Sequence, residues 1–212
     1  MIRGMRGVAI AIGVISLSTG LVACGSSDPV ASQSAGALTL PGEAGHVHGI
    51  VQARSGGLLV GTHGGLFAQT PGGSLGRVGD PADYMGLAAM PSGALLSSGH
   101  PAPGSGEPDP LGLRLSRDEG RSWTTITQVP RDDFHVIGAG GGRIYAVGSD
   151  GAVYAGSAPT TLTKVANAPE GLIDLAIEPG RGSSLLASTQ SGLQRSTNGG
   201  RTWTPAGEAV GL

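Results

Sequence analysis

Cysteine is nearly missing: Cys24 is the one cysteine in 212 residues, so no intrachain disulfide can staple the fold and stability has to come from packing. Lysine is as scarce, with Lys164 alone, and 13 basic against 15 acidic residues give a net charge of −2. That balance supplies no electrostatic footprint for nucleic acid, which is excluded as a partner. Aromatic residues make up only 3%, leaving little material for an aromatic hot spot at a protein interface. After residue 40 no stretch keeps a 3.6-residue apolar period for three turns, which excludes long amphipathic helices.

What is present begins with an export signal. Arg3 and Arg6 form a positive n-region, and residues 8–17 form an apolar run broken only by Gly13 and Ser16. At roughly ten residues the run is half of what a membrane-spanning helix needs. It ends in Leu21-Val22-Ala23-Cys24, which resembles the lipobox of bacterial lipoproteins. The resemblance implies cleavage after residue 23, lipidation of Cys24 and an extracytoplasmic domain held to the cell membrane by acyl chains, each buried methylene adding about 0.8 kcal/mol. An ordinary secretory signal with a chance cysteine is the alternative. Residues 24–37, rich in Ser, Ala and Gly, cannot bury enough surface to fold and read as a flexible linker. The folded domain is expected over 38–212.

Glycine is abundant, 40 residues, with 14 prolines. Short apolar runs recur between turn residues: 57–62, 93–97, 143–147 and 184–188. These are strand and hairpin signals, and their spacing falls in the range of four-stranded propeller blades. Each run follows an opening strand, at 48–50, 85–87, 135–137 and 173–175. The expected fold is all-β, a β-propeller-type repeat of about four four-stranded antiparallel blades.

Two of the repeats carry one eight-residue box, SRDEGRSW at 116–123 and STNGGRTW at 196–203. Asp118 or Asn198, following Ser116 or Ser196, is suited to accept bonds from backbone N–H groups two residues on. Gly120 or Gly200 supplies a positive φ, and Trp123 or Trp203 buries a large ring at the start of the next strand. All eight residues read as structural rather than catalytic. The spacing S-x-D/N-x-G-x-S/T-W resembles the Asp-box, or BNR repeat, of sialidase-like and sortilin-like propellers. With HVHGI at 46–50, GTHGGLF at 61–67, DYMGL at 83–87 and SGHP at 98–101, residues 45–208 resemble the exported F510-type glycosylhydrolase family of actinobacteria. The resemblance implies further blades beyond those present here, and a glycosidase.

The residues themselves support a glycosidase weakly. Arg117, Arg121, Arg195 and Arg201 lie in or beside the boxes, away from the expected channel, so a sialidase-type arginine cluster is missing; Asp83, Asp133 and Asp174 remain as inward carboxylates. A second reading is a binding module with a protein or glycan ligand on the propeller face. A third comes from the five histidines. Aligning the opening strands stacks His48, Met85, His135 and Ile173 in one column and His46, Asp83 and Asp133 two residues earlier. His63 and His100 match each other at the ends of second strands. If opening strands are innermost, His46, His48, Met85 and His135 converge as metal ligands, with His63, His100, Asp83 and Asp133 as rim or outer partners. Imidazole with thioether favours copper, and imidazole with carboxylate suits zinc; a polar, water-filled channel is the alternative.

Overall fold

The structure is a computed structural model that describes residues 38–70 and 73–207. The leader, Cys24 and the linker inferred above lie outside the described residues. Within them the chain forms a four-bladed propeller, each blade a four-stranded antiparallel meander. Blade one is β1 (Val47–Gln52), β2 (Leu58–Thr62), β3 (Gly65–Gln69) and β4 (Leu75–Val78). Blade two is β5 (Ala82–Ala89), β6 (Leu95–Pro101), β7 (Arg114–Ser116) and β8 (Thr124–Thr125). Blade three is β9 (Phe134–Gly140), β10 (Arg143–Gly148), β11 (Ala152–Gly156) and β12 (Thr163–Asn167), and blade four is β13 (Leu172–Ile177), β14 (Leu185–Thr189), β15 (Gly192–Ser196) and β16 (Thr204–Pro205). Helix is confined to single 3-10 turns, Gly42–Ala44 and Pro159–Thr161, among the described residues.

Strand alternation divides each blade's side chains between its two neighbours. On β6, Leu95 packs into the core shared with Leu59, Leu66 and Tyr84 of blades one and two, while Leu96 packs with Phe134, Ile137 and Ile144 between blades two and three. Both leucines are fully enclosed, each worth about 1.5–3 kcal/mol of burial. A third core joins Tyr145 and Val153 of blade three to Leu175 and Leu185 of blade four. Blade four's outward face is barer, with Leu186 39% and Leu193 38% exposed.

The opening strands line the centre. β1, β5, β9 and β13 enclose a cavity of about 680 Å³. They approach closely at Gly86, where a Cβ would lie 2.2 Å from the Phe134 carbonyl oxygen, so a side chain on β5 at this point would force β9 away.

The boxes join third strand to fourth. Ser116 Oγ accepts the N–H of Asp118 and of Gly120, and Asp118 Oδ1 accepts that of Ser122. The serine therefore does the near-range capping expected of the aspartate, and the aspartate reaches four residues on. Asn198 accepts from Arg201 and Thr202 in the same manner. Gly120 has φ 86°, and a Cβ there would lie 2.1 Å from Leu66 Cδ2 of blade one; the box thus packs against the preceding blade as well as closing its own turn. Trp123 and Trp203 are half-buried rather than enclosed, because the fourth strands they precede are two residues long and cover little. Blade three uses the turn Pro159–Thr161 where blades two and four place a box.

Candidate metal centre

All four opening strands carry a register break at one repeat position: at Val47/Gly49, Asp83/Gly86, Phe134/Val136 and Leu172/Asp174. A β-bulge releases one residue from the ladder and re-aims its side chain. The residues in or at these breaks are His48, Met85, His135 and Ile173, the column read from the sequence, and all four line the central cavity.

In space the histidines are grouped differently from that column. His46, His48 and His63 each offer a ring nitrogen, and the three nitrogens lie within 4.8 Å of one another. The backbone explains the meeting: the His63 N–H donates to the His46 carbonyl, and the two rings stack with centroids 5.3 Å apart. His48, two residues beyond His46, meets it edge-on at 4.4 Å. Asp83, from the first residues of blade two, stands 2.8 Å from His63 Nδ1 and 3.2 Å from His48 Nε2. His48 is 13% exposed and Asp83 10%, whereas His63 is 63% exposed. Burial, opposed by Asp83 and assisted by its histidine neighbours, lowers the His48 pKa below the ordinary value, which favours the neutral imidazole that a metal requires. His48 Nε2 and Asp83 Oδ1, both buried, face each other at 3.2 Å without hydrogen-bond geometry.

The remaining polar residues form a second group. His100 Nε2 is 3.1 Å from Asp133 Oδ2, which also accepts from His135 Nε2. The β9 start is pinned beside β6 by Ser98, whose Oγ accepts the Phe134 N–H and donates to the Asp132 carbonyl. His100 Nδ1 bonds Asp109 Oδ1 at 2.6 Å, and that hydrogen bond raises the His100 pKa. Asp109 escaped the sequence reading because the 102–112 loop has no counterpart in the other blades, so repeat alignment is silent there. Met85 lines the cavity but belongs to neither group. Around the central cavity the single carboxylate among the described residues is Asp174, against the pair that glycoside hydrolysis ordinarily uses.

Fold and site together define a β-propeller whose channel mouth is rimmed by histidine and aspartate. No protein-family model matches the sequence, and no curated protein does. Solved structures do match. An ancestral GH74 enzyme aligns with a TM-score of 0.57 at 17% identity, over 78% of this chain and 24% of that one. The GH74 enzyme of Niastella koreensis aligns at 0.59 and 15% identity, over 79% and 30%. YCF48 bound to D1 peptide aligns at 0.55 and 17% identity, over 79% and 55%. The chain thus spans about a quarter to a half of these proteins' lengths, and at such identities the likeness establishes the propeller fold alone.

Proposed function

We propose that this chain is an exported propeller, tethered to the cell membrane through lipidated Cys24, that binds a zinc or copper ion with His46, His48 and His63 and presents it at the channel mouth to a protein or glycan ligand. The observation that carries the reading is the meeting of three ring nitrogens within 4.8 Å. Asp83 on His63 Nδ1 supplies the carboxylate that metal-bound imidazoles ordinarily have behind them, fixing the tautomer and leaving Nε2 for the ion. Three imidazoles without a thioether favour Zn(II) or Cu(II) over Cu(I), since Met85 stands apart. Three protein ligands also leave a coordination position open for a ligand atom. The spacing shared by the two boxes supports placing the chain among Asp-box propellers, where these boxes are scaffolding.

The test is Zn(II) and Cu(II) titration of the tag-free domain against a competing chelator. Wild type is expected to bind with an affinity that falls at least tenfold in His48→Ala and in His63→Ala. Equal affinity in wild type and in the His48→Ala/His63→Ala double variant would refute the site.

A further inference from the structure

The polar group between blades two and three shares no residue with the first cluster and takes its bulge residue from the following blade, whereas the first cluster takes His48 from the blade that carries His63. His100 stands near the end of β6 where His63 stands just past β2, Asp133 occupies the place of Asp83, and His135 sits at the β9 bulge as His48 does at that of β1. Asp83 pairs with His100 across β5 and β6, so the two groups are neighbours along one rim. His63, Asp83 and His100 also line a common groove of about 270 Å³. We propose that His100, His135 and Asp133 form a second divalent-cation site, with Asp109 positioning His100.

Three features of the geometry support it. Both imidazoles direct Nε2 at the same oxygen, Asp133 Oδ2, which places one carboxylate between two nitrogen donors. Asp133 is 7% exposed and its Oδ1 is buried with no hydrogen-bond partner; a buried carboxylate oxygen without a donor is unfavourable, and a cation held by the carboxylate removes that cost. The Asp109 contact on His100 Nδ1 at 2.6 Å fixes which nitrogen carries the proton and leaves Nε2 to the ion, the carboxylate–histidine–metal arrangement. The donor set of two imidazoles and one carboxylate, without sulfur, suits Zn(II), Mn(II) or Fe(II) and disfavours Cu(I). It also leaves coordination positions open toward the central cavity, which His135 lines.

The junction between blades three and four offers no such group. The corresponding positions between blades three and four are Ser149, Gly171 and Ile173, none of which can furnish a donor set.

The experiment is Zn(II) titration of the tag-free domain, followed at once by chelator competition and by the ring-proton resonances of the five histidines. Two equivalents are expected in wild type, with His100 and His135 signals shifting. His63→Ala should keep one equivalent, and His100→Ala should keep the other. Asp109→Asn should leave the stoichiometry intact and weaken the second equivalent 10- to 100-fold, the cost of losing a carboxylate behind a metal-bound imidazole. The wild-type resonances answer the question even where a variant fails to fold. If Zn(II) moves only the His46, His48 and His63 signals and His100→Ala binds as wild type does, the second site is refuted and the first stands. If only His100 and His135 respond, the first reading fails and this one holds.

Discussion

His63 Nδ1 and Asp83 Oδ2 lie 2.8 Å apart, linking the turn after β2 to the first strand of the next blade. The contact is made between blades, so it orients an imidazole that is otherwise 63% exposed and free to rotate. Asp83→Asn replaces the charged acceptor with a neutral one in the same shape. Zn(II) affinity of the first site should drop 10- to 100-fold with little change in thermal stability. Unchanged affinity would mean that Asp83 does not position His63.

Protonation should compete with the ion at both groups. His48 is lowered by burial and His100 raised by its bond to Asp109, so the second site should release its ion first as pH falls, and the first site should hold on to lower pH. For folding of the metal-free protein the signs differ as well. His48 contributes stability that grows as pH rises from its lowered folded value to about 6.5, the unfolded value; His100 contributes stability that is full below about 6.5 and is lost as pH rises through its raised folded value. Metal release monitored from pH 8 to pH 5 checks the order, and simultaneous release would contradict it.

The Asp118 carboxyl is held down to about 2 by the Ser122 hydroxyl, then by the Ser122 N–H and the Ser116 hydroxyl. Its folded value lies below the unfolded one, so its contribution is present above about pH 4 and is lost as pH falls through about 2. Ser122→Ala should raise the Asp118 value measured by carboxyl NMR. The second box has Asn198 at this place and cannot titrate, which makes Thr202→Ala the control.

Leu185 and Leu186 are sequence neighbours on opposite faces of β14, one in the core with Tyr145 and the other 39% exposed. Leu185→Ala should cost about 2–5 kcal/mol, and Leu186→Ala well under half of that. Comparable losses in chemical denaturation would show the outward face of blade four to be covered in solution. Trp123→Ala should cost about 3 kcal/mol, the low end for a large aromatic. It should exceed Trp203→Ala, because Trp123 donates to the Gly120 carbonyl and packs under Arg114 while Trp203 Nε1 has no partner.

Anchoring has its own check. Cys24→Ser should abolish incorporation of labelled fatty acid and release the chain from the membrane fraction; a labelled variant would count against the lipobox.

Strand order, the four opening strands and the eight-residue boxes were legible in the sequence, because period-two alternation, turn residues and a fixed box spacing are local properties of the chain. So was the column His48, Met85, His135 and Ile173, since equivalent repeat positions must face the same axis. What the sequence could not decide was which of these side chains touch. Alignment places His48 and His135 at one position, but a propeller turns each blade away from the last, and the bulge aims each residue at what its neighbour supplies. His63 thereby meets His46 through a backbone bond, and His135 meets Asp133 and lies with His100, held from behind by Asp109 in a loop outside the repeat. Donor types come from composition and periodicity; donor sets come from the twist between blades and from one inserted loop, and those exist only once the chain has folded.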